Sequence, residues 1–457
     1  MERREERYDL TTGVIWKKML MFFLPIAVGT LFQQLYNTVD AMVVGKFVGK
    51  EALAAVGGSA AQVIALTVGF FVALTGGSSA VIAQFVGARR PKETSEAVHS
   101  ALGFAVVAAA IMTAVIVPLT PLILRWMQTP EDTMVDSIRY LRIYFGGTIF
   151  VLLFNMGSAI LQSVGDSRRP LYYLMACCFC NIGLDLLFVV VLHMGITGVA
   201  LATVISQAVS TVLVLRRLCR ADEIYRVTIS RIRIYKNVTK KMLKVGVPAG
   251  IQASMYNISN LIIQVAINTL STTVVAGWTM ASKIDGVYCA LGTALGMAVM
   301  GFVGQNYGAG KMDRVRKTFK VSMAIFLCVT MMMEVFVLYV GKYCVHYFID
   351  DPEVIAYTWE ILLYFVPFYV IWTYIEVVSG VLRGIGDAVV PVVITGTCIC
   401  GLRLLWCATV FRWFPSIAGV TSCYPVSWIL TAVALFLYFR KGSWLRENED
   451  LLPASQQ

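Results

Sequence analysis

Two acidic residues, Asp40 and Asp185, lie inside long apolar stretches of the sequence, and each has polar neighbours one helical turn away. Residues three and four apart share one face of a helix, which relates Asn181 to Asp185. The stripe that contains the first acid consists of Gln33, Tyr36, Asn37 and Asp40. With the amide of Asn181 and the hydroxyl of Thr203, the two acids are predicted to form an oxygen-lined site for H⁺ or Na⁺.

Further polar side chains in apolar stretches are predicted to line a substrate cavity. The predicted cavity residues are Gln33, Tyr36, Asn37, Asn155, Tyr256, Asn257, Asn260, Gln264 and Glu376. The structural alternative is that amides and hydroxyls only join neighbouring helices, a contribution of about 0.6 kcal/mol each. An acid at mid-bilayer costs about 2.5 to 3.5 kcal/mol, so the acids are the stronger functional candidates. Arg403 and the Lys283/Asp285 pair are expected to be structural, because basic side chains near span ends can reach the interface.

Composition indicates what must position these side chains. The chain has 457 residues, of which 58% are hydrophobic and 14% charged, with a mean hydropathy of +0.73. These values exclude a soluble, disordered, collagen-like or disulfide-rich secreted protein, and they predict an integral membrane protein with many spans. The net charge of +11 is interpreted as a marker of cytoplasmic loops, with no role in binding nucleic acid.

Charge clusters and Gly/Pro turns divide the sequence into twelve predicted membrane spans, each about 20 residues or longer. The spans cover about 17–44, 53–84, 98–122, 138–161, 171–192, 196–215, 245–270, 275–303, 318–341, 358–382, 389–411 and 417–439. The predicted organisation is a six-helix lobe (1–215), a basic linker (216–244), a second six-helix lobe (245–441) and a tail (442–457). Because Lys and Arg concentrate in the linker and alternate loops, both termini are predicted to be cytoplasmic. The first apolar stretch is interpreted as a span and not as a signal peptide.

The two halves of the sequence repeat each other at offsets of about 220 residues. Pro25 matches Pro248, the loop 161–166 matches 382–387, and Thr129-Pro130-Glu131 matches Asp351-Pro352-Glu353, both with the pattern of a capped helix start. Six spans per repeat is an even number, so both repeats enter the membrane in the same direction, as in one class of secondary transporters. In the second half, the positions of Asp40, Asn181, Asp185 and Thr203 are occupied by Ile263, Leu402, Trp406 and Tyr424. The cation site is therefore expected in the N-terminal half alone.

An intramembrane enzyme is a weaker interpretation. Gly384-Ile385-Gly386-Asp387 fits a pattern of intramembrane aspartyl proteases, which need two membrane acids. The repeat places Asp166 at the same point of a matching loop, so both acids are expected to be turn residues. No metal-binding or phosphate-binding motif stands out, so we expect no cofactor beyond a coupling ion.

The sequence resembles the multidrug and toxic compound extrusion (MATE) family over nearly its whole length. The resemblance rests on Pro25 with Asp40, on Asn181 with Asp185, on the paired Gly-Asp loops, and above all on the stretch Gly304-Gln305-Asn306-Tyr307-Gly308-Ala309-Gly310. It implies two six-helix bundles that export cationic or amphipathic compounds in exchange for H⁺ or Na⁺, with the cation site at Asp40, Asn181, Asp185 and Thr203. The expected partners are small molecules and the bilayer, and the expected state is a monomer.

The alternative within the same superfamily fold is a flippase for lipid-linked oligosaccharides. Such proteins tend to line their cavity with basic residues that hold pyrophosphate. In this sequence the cavity candidates are acids and amides, and only Arg403 and Lys283 are positive.

Overall fold

The computed structural model of the chain describes residues 8–221, 224–348 and 351–442. Over these ranges the chain forms helices joined by short turns, and no β-strand occurs within them. The prediction of an all-helical protein is confirmed. Nearly all of the predicted tail, residues 443–457, lies outside the described residues.

The first half of the chain contains helices that carry the predicted cation site. They are α1 Ile15–Val43, α2 Lys50–Gly57, α3 Ser59–Gly87, α4 Pro91–Trp126, α5 Glu131–Gly146, α6 Thr148–Ser163, α7 Arg168–Asp185 and α8 Gly195–Cys219. Short π-helical segments, Val44–Val48 and Leu186–Val191, continue α1 and α7.

The second half repeats this order with more interruptions. Its helices are α9 Lys236–Asn268, α10 Thr272–Gly308, α11 Met312–Phe348, α12 Pro352–Phe365, α13 Tyr369–Ile385, α14 Val389–Thr395, α15 Leu402–Ala408, α16 Val410–Trp413, α17 Ile417–Thr421 and α18 Cys423–Lys441. A π-helical segment, Gly396–Gly401, joins α14 to α15.

Each of the twelve predicted spans lies in one or more helices of the structure. Ten stretches of the described residues are long and apolar enough to cross a membrane, and the pair α5 and α6, bent by 48° where they meet, makes an eleventh. The span predicted over 245–270 lies in α9, which is 33 residues long. The polar side chains along α9 keep its hydropathy below that of the other spans, since Gln252, Asn257 and Asn260 interrupt its apolar residues.

The two Gly-Asp loops of the repeat have the same backbone. Asp166 N donates to Leu161 O at 2.9 Å and Asp387 N donates to Leu382 O at 2.9 Å. The preceding glycine has a φ of 92° in the first loop and 97° in the second. Glycine adopts this left-handed conformation without a steric penalty, and it commonly ends helices in this way. The expected turn role of both acids agrees with this geometry.

The matching helix starts at 129–131 and 351–353 differ in one respect. Asp351 caps α12, because its Oδ1 accepts from Glu353 N at 2.9 Å. Thr129 makes no such bond: α5 begins at Glu131, and the Thr129 hydroxyl has no hydrogen-bond partner in the described part of the chain. The prediction of a capping side chain is therefore right for Asp351 and wrong for Thr129.

The chain divides into two compact units. As far as the structure describes them, the first comprises Met1–Asp9 and Phe22–Gly250, and the second comprises Leu10–Met21 and Ile251–Gln457. The predicted linker over 216–244 thus packs with the first unit. The start of α1 packs with the second unit, although the rest of that helix belongs to the first.

Candidate cation site and substrate-contacting residues

The carboxyl groups of Asp40 and Asp185 lie together in the first unit. Asp40 is in the last turn of α1, and Asp185 is the last residue of α7, so each precedes a π-helical segment. The two side chains lie close enough together for their carboxyl groups to interact electrostatically. Asp40 is 9% exposed and Asp185 is fully buried. The predicted association of these two acids is thus present in the structure.

Asn181 and Thr203 complete the predicted cation set. Asn181 is fully buried one turn before Asp185, and Thr203 is 4% exposed on α8. The Thr203 hydroxyl donates to Val199 O at 3.1 Å, so its lone pairs stay available to a ligand. Tyr36 lies beside Thr203 and Asp40.

Several polar atoms at this site lack hydrogen-bond partners. Within the described residues, the atoms without a hydrogen-bond partner include Nδ2 and Oδ1 of Asn181, both carboxyl oxygens of Asp185, and Oδ1 of Asp40. Buried polar atoms are nearly always paired, and two carboxylates in contact repel each other unless a proton or cation lies between them. These atoms therefore fit a proton or a hard cation, which prefers oxygen ligands.

The structure distinguishes among the cavity residues predicted in the first unit. Gln33 and Asn37 are exposed on α1, and Tyr36 is half-buried between them and the acids. Asn155, by contrast, donates through Nδ2 to Val151 O of its own helix at 2.8 Å. This bond favours a structural role for Asn155.

Tyr140 is a neighbour of the acid pair that the sequence patterns did not reveal. It lies on α5, is 5% exposed, and is near enough to Asp40 and Asp185 to be affected by the charge of both. Its ring also stacks on that of Tyr144 at a centroid distance of 6.2 Å. In the sequence the two tyrosines have the spacing of ordinary core residues, so no sequence signal distinguished them as site residues.

The predicted cavity residues of the second unit differ in how they are held. Gln264 ties α9 to α10, because its Oε1 accepts from Trp278 Nε1 at 3.0 Å. Glu376 forms an ion pair with Arg383 at 3.6 Å. Tyr256 and Asn257 are half-buried. A structural role is thus favoured for Gln264, whereas the cavity role of the other residues stays a prediction.

Asn260 is hydrogen-bonded to Arg403, a residue whose buried position was not predicted from the sequence. Asn260 Oδ1 accepts from Arg403 Nη1 at 3.4 Å, and Arg403 is only 4% exposed. The Arg403 guanidinium lies over the ring of Tyr424 at 3.8 Å. The expectation that Arg403 reaches the membrane interface is wrong, because its head group is buried in the second unit. Lys283 is exposed, and Asp285 accepts instead from Tyr369 OH at 2.9 Å.

Comparison with known proteins places this arrangement in a family. The MatE family model matches residues 25–187 and again residues 248–409. The chain belongs to the MatE family. The double match agrees with the predicted duplication, and both the MATE resemblance and a multi-pass membrane transporter are confirmed.

Relatives of this MATE protein match it over nearly their whole length. It is 27% identical to "Probable multidrug resistance protein YpnP" of Bacillus subtilis (strain 168), over 96% of this chain and 97% of the relative. It is 25% identical to "Probable multidrug resistance protein YoeA" of the same organism, over 93% and 94%. Its fold is similar to that of a multidrug resistance MATE family transporter of the MOP superfamily solved in an outward-facing conformation. That match has a TM-score of 0.89 and 21% identity, and it covers 96% of this chain and 99% of that structure.

The stretch on which the MATE resemblance chiefly rests binds the segment just before α1. Gln305 Oε1 accepts from Leu10 N at 3.0 Å, and Asn306 Nδ2 donates to Leu10 O at 3.2 Å. Both amides are buried at the end of α10. This part of the motif therefore provides hydrogen-bond partners for backbone groups of the N-terminal segment.

Two basic residues beyond the motif hold the same segment. Arg314 donates through Nη1 to Gly13 O at 2.9 Å and through Nη2 to Thr12 O at 3.1 Å. Lys311 Nζ donates to Thr11 O at 2.9 Å. We call this contact the N-terminal clamp. It joins residues 10–13 to the side chains of Gln305, Asn306, Lys311 and Arg314. It explains why Leu10–Met21 packs with the second unit.

Proposed function

We propose that this MATE protein is an antiporter that exports cationic or amphipathic drugs in exchange for H⁺ or Na⁺. The observation that carries the proposal is that the carboxyls of Asp40 and Asp185 are buried close together in the first unit. Such a pair can take up a proton or a small cation and release it again. The names of the relatives, which refer to multidrug resistance, support a drug as the exported compound.

The coupling follows from linkage. An ion drives transport only if it binds the two conformations of the protein with different affinity. In this proposal, drug is captured from the cytoplasm while the acid pair is free of its cation, and cation uptake at the pair favours drug release outside. Tyr36 lies beside Asp40 and Thr203, and on the same helix as the exposed Gln33 and Asn37. It therefore connects the cation site to residues that a drug can contact.

The proposal requires no resident cofactor. The coupling ion is the only small inorganic partner, and the transporter acts as a monomer in the bilayer. Both termini are placed in the cytoplasm, as the distribution of basic loop residues predicts.

Reconstituted protein tests the proposal. Proteoliposomes receive either a pH gradient or a Na⁺ gradient, and the uptake of a fluorescent cationic dye is followed for wild type, Asp40→Asn and Asp185→Asn. We expect one gradient to drive uptake by wild type, and each variant to lose that dependence. The control Asp132→Asn changes an exposed acid at the start of α5 and should transport normally. Gradient-independent uptake by wild type would overturn the proposal, and movement of a fluorescent lipid in its place would support the flippase.

A further inference from the structure

The second unit contains a buried positive charge that the proposed cation coupling does not use. Arg403 lies near the middle of the span Val389–Trp413 and is 4% exposed. Ionisable residues in such positions are costly and mark functional sites by default. The guanidinium therefore needs either a fixed partner of opposite charge or a ligand that supplies one.

No fixed partner neutralises Arg403 directly. Among the described residues it forms no ion pair, and its buried Nε has no hydrogen-bond partner. Nearby acids are held by other groups: Asp285 accepts from Tyr369 OH at 2.9 Å, and Glu376 pairs with Arg383 at 3.6 Å. The direct contacts of the guanidinium are the Tyr424 ring and a long bond of 3.4 Å to Asn260.

The duplication places this charge next to the counterparts of the first unit's predicted cation residues. Tyr424 occupies the repeat position of Thr203, and Asn260 occupies that of Asn37. Arg403 directly follows Leu402, which replaces Asn181. The first unit thus has two buried acids in this region of its repeat, whereas the second unit has apolar residues at their positions and a buried guanidinium nearby, which suits a ligand of negative charge.

The surroundings of Arg403 suit one class of anion. Asn260 is exposed, so the guanidinium lies directly behind a surface residue, and the half-buried Tyr256 has a hydroxyl without a hydrogen-bond partner in the described chain. A guanidinium forms paired hydrogen bonds with carboxylates, and tyrosine rings stack on aromatic groups.

We propose that Arg403, with Asn260 and Tyr256, binds the carboxylate of amphipathic aromatic compounds. This inference rests on the proposed export function and specifies its substrates: they include zwitterions that carry a carboxylate as well as a cationic group. Binding of the carboxylate displaces the long bond to Asn260 and gives the guanidinium its missing counter-charge.

Two dyes that differ in one group test this inference. A rhodamine with a free carboxylate and its ethyl ester share the same aromatic cation, and fluorescence anisotropy gives the affinity of each for the full chain in nanodiscs of neutral lipid. We expect Arg403→Gln to weaken binding of the carboxylate dye at least tenfold and to leave the ester within twofold. Arg403→Lys should restore part of the lost affinity. The control Arg412→Gln, which alters an exposed residue of the neighbouring helix, should bind both dyes like wild type.

A second variant covers the case in which Arg403→Gln does not fold. Asn260→Asp places a carboxylate against Nη1 of Arg403, so the guanidinium keeps its position and gains a fixed counter-charge that competes with a bound carboxylate. We expect it to lose the carboxylate dye selectively. Equal weakening of both dyes by the folded variants, or no weakening, would overturn the inference.

Two further results separate the possible explanations. If anionic phospholipid in the nanodiscs abolishes binding of the carboxylate dye, the site binds lipid phosphate and the proposed substrate class is wrong. If an ion gradient drives transport of the ester dye while binding of the carboxylate dye does not depend on Arg403, the inference fails and the export function stands. If Arg403-dependent binding occurs without gradient-driven transport, the site stands and the export function fails.

Discussion

The carboxyls of Asp40 and Asp185 lie close together although they come from the ends of two different helices, α1 and α7. Both are buried, and at least three of their four oxygens lack hydrogen-bond partners among the described residues. A contact between like charges destabilises a fold unless a proton or cation is held there. This arrangement supports the proposed cation site.

The first prediction concerns the acid pair. Asp40→Asn removes one charge and adds an amide that can donate to Asp185, so we expect the folded state to be as stable as wild type or stabilised by up to about 1 kcal/mol. Dye efflux from cells that express the variant should fall at least about tenfold, equivalent to about 1.4 kcal/mol of lost coupling. Efflux is measured in the cells, and thermal unfolding is measured on protein purified from them. A variant that unfolds at much lower temperature would indicate that Asp40 is structural.

The second prediction concerns the N-terminal clamp. Arg314→Ala removes charge-assisted hydrogen bonds to Leu10, Thr12 and Gly13, each worth about 1.5 to 3 kcal/mol when well buried. Because Arg314 bonds partly exposed carbonyls, we expect a net loss of about 2 to 4 kcal/mol, measured as a lower unfolding temperature. The control Arg316→Ala breaks an exposed pair with Asp313 at 3.9 Å and should cost less than about 0.5 kcal/mol. Equal effects of the two variants would contradict the clamp.

The third prediction concerns the attachment of the basic linker to the first unit. His99 Nε2 accepts from Thr228 N at 3.1 Å, and His99 Nδ1 lies 2.7 Å from Ser95 O. His99→Ala removes the acceptor and loosens the segment that follows. We expect trypsin to cleave at the exposed Arg226 and Arg231 several-fold faster than in wild type. His193→Asn, in an exposed loop, is the control, and unchanged cleavage rates would rule out this anchoring role for His99.

The fourth prediction concerns close packing of helices at Gly77. A Cβ at Gly77 would collide with the backbone of Gly246, so α3 and α9 touch through their backbones within the first unit. Gly77→Ala should destabilise the protein by about 2 kcal/mol or more, because backbone atoms must move apart. A Cβ at Gly57 meets nothing within 4 Å, and Gly57→Ala should be neutral or stabilising by up to about 1 kcal/mol. Unfolding temperatures of the two variants give the comparison.

Much of the fold follows from apolar run length, because a bilayer demands helices of a minimum length. The first acid pair was also predictable, since an acid is rare in a span and the spacing of its neighbours fixes a helical face. The division into compact units was not predictable, because side-chain hydrogen bonds to backbone carbonyls hold the segment before α1 in the second unit. Sequence patterns contain no information on such long-range backbone contacts.

Arg403 shows why the second site escaped prediction. In the sequence it is a lone basic residue between apolar runs, the usual pattern of a side chain that reaches the interface. In the structure a π-helical segment, Gly396–Gly401, precedes it, whereas the π-helical segment of the matching span follows Asp185. The wider turn of a π-helix changes the direction of the residues that follow. In the repeat alignment Arg403 takes the position of Ile182, an apolar residue, so comparison of the two halves did not single it out.

The most direct test of the account is to count the cations released when drug binds. Purified wild-type protein is mixed with a saturating cationic dye, and released H⁺ is followed by a pH indicator in weak buffer, or released Na⁺ by a radiotracer. We predict that wild type releases H⁺ or Na⁺, up to one ion per bound dye, and that Asp40→Asn binds dye but releases none. Release by Asp40→Asn equal to that of wild type would contradict a cation site at Asp40 and Asp185.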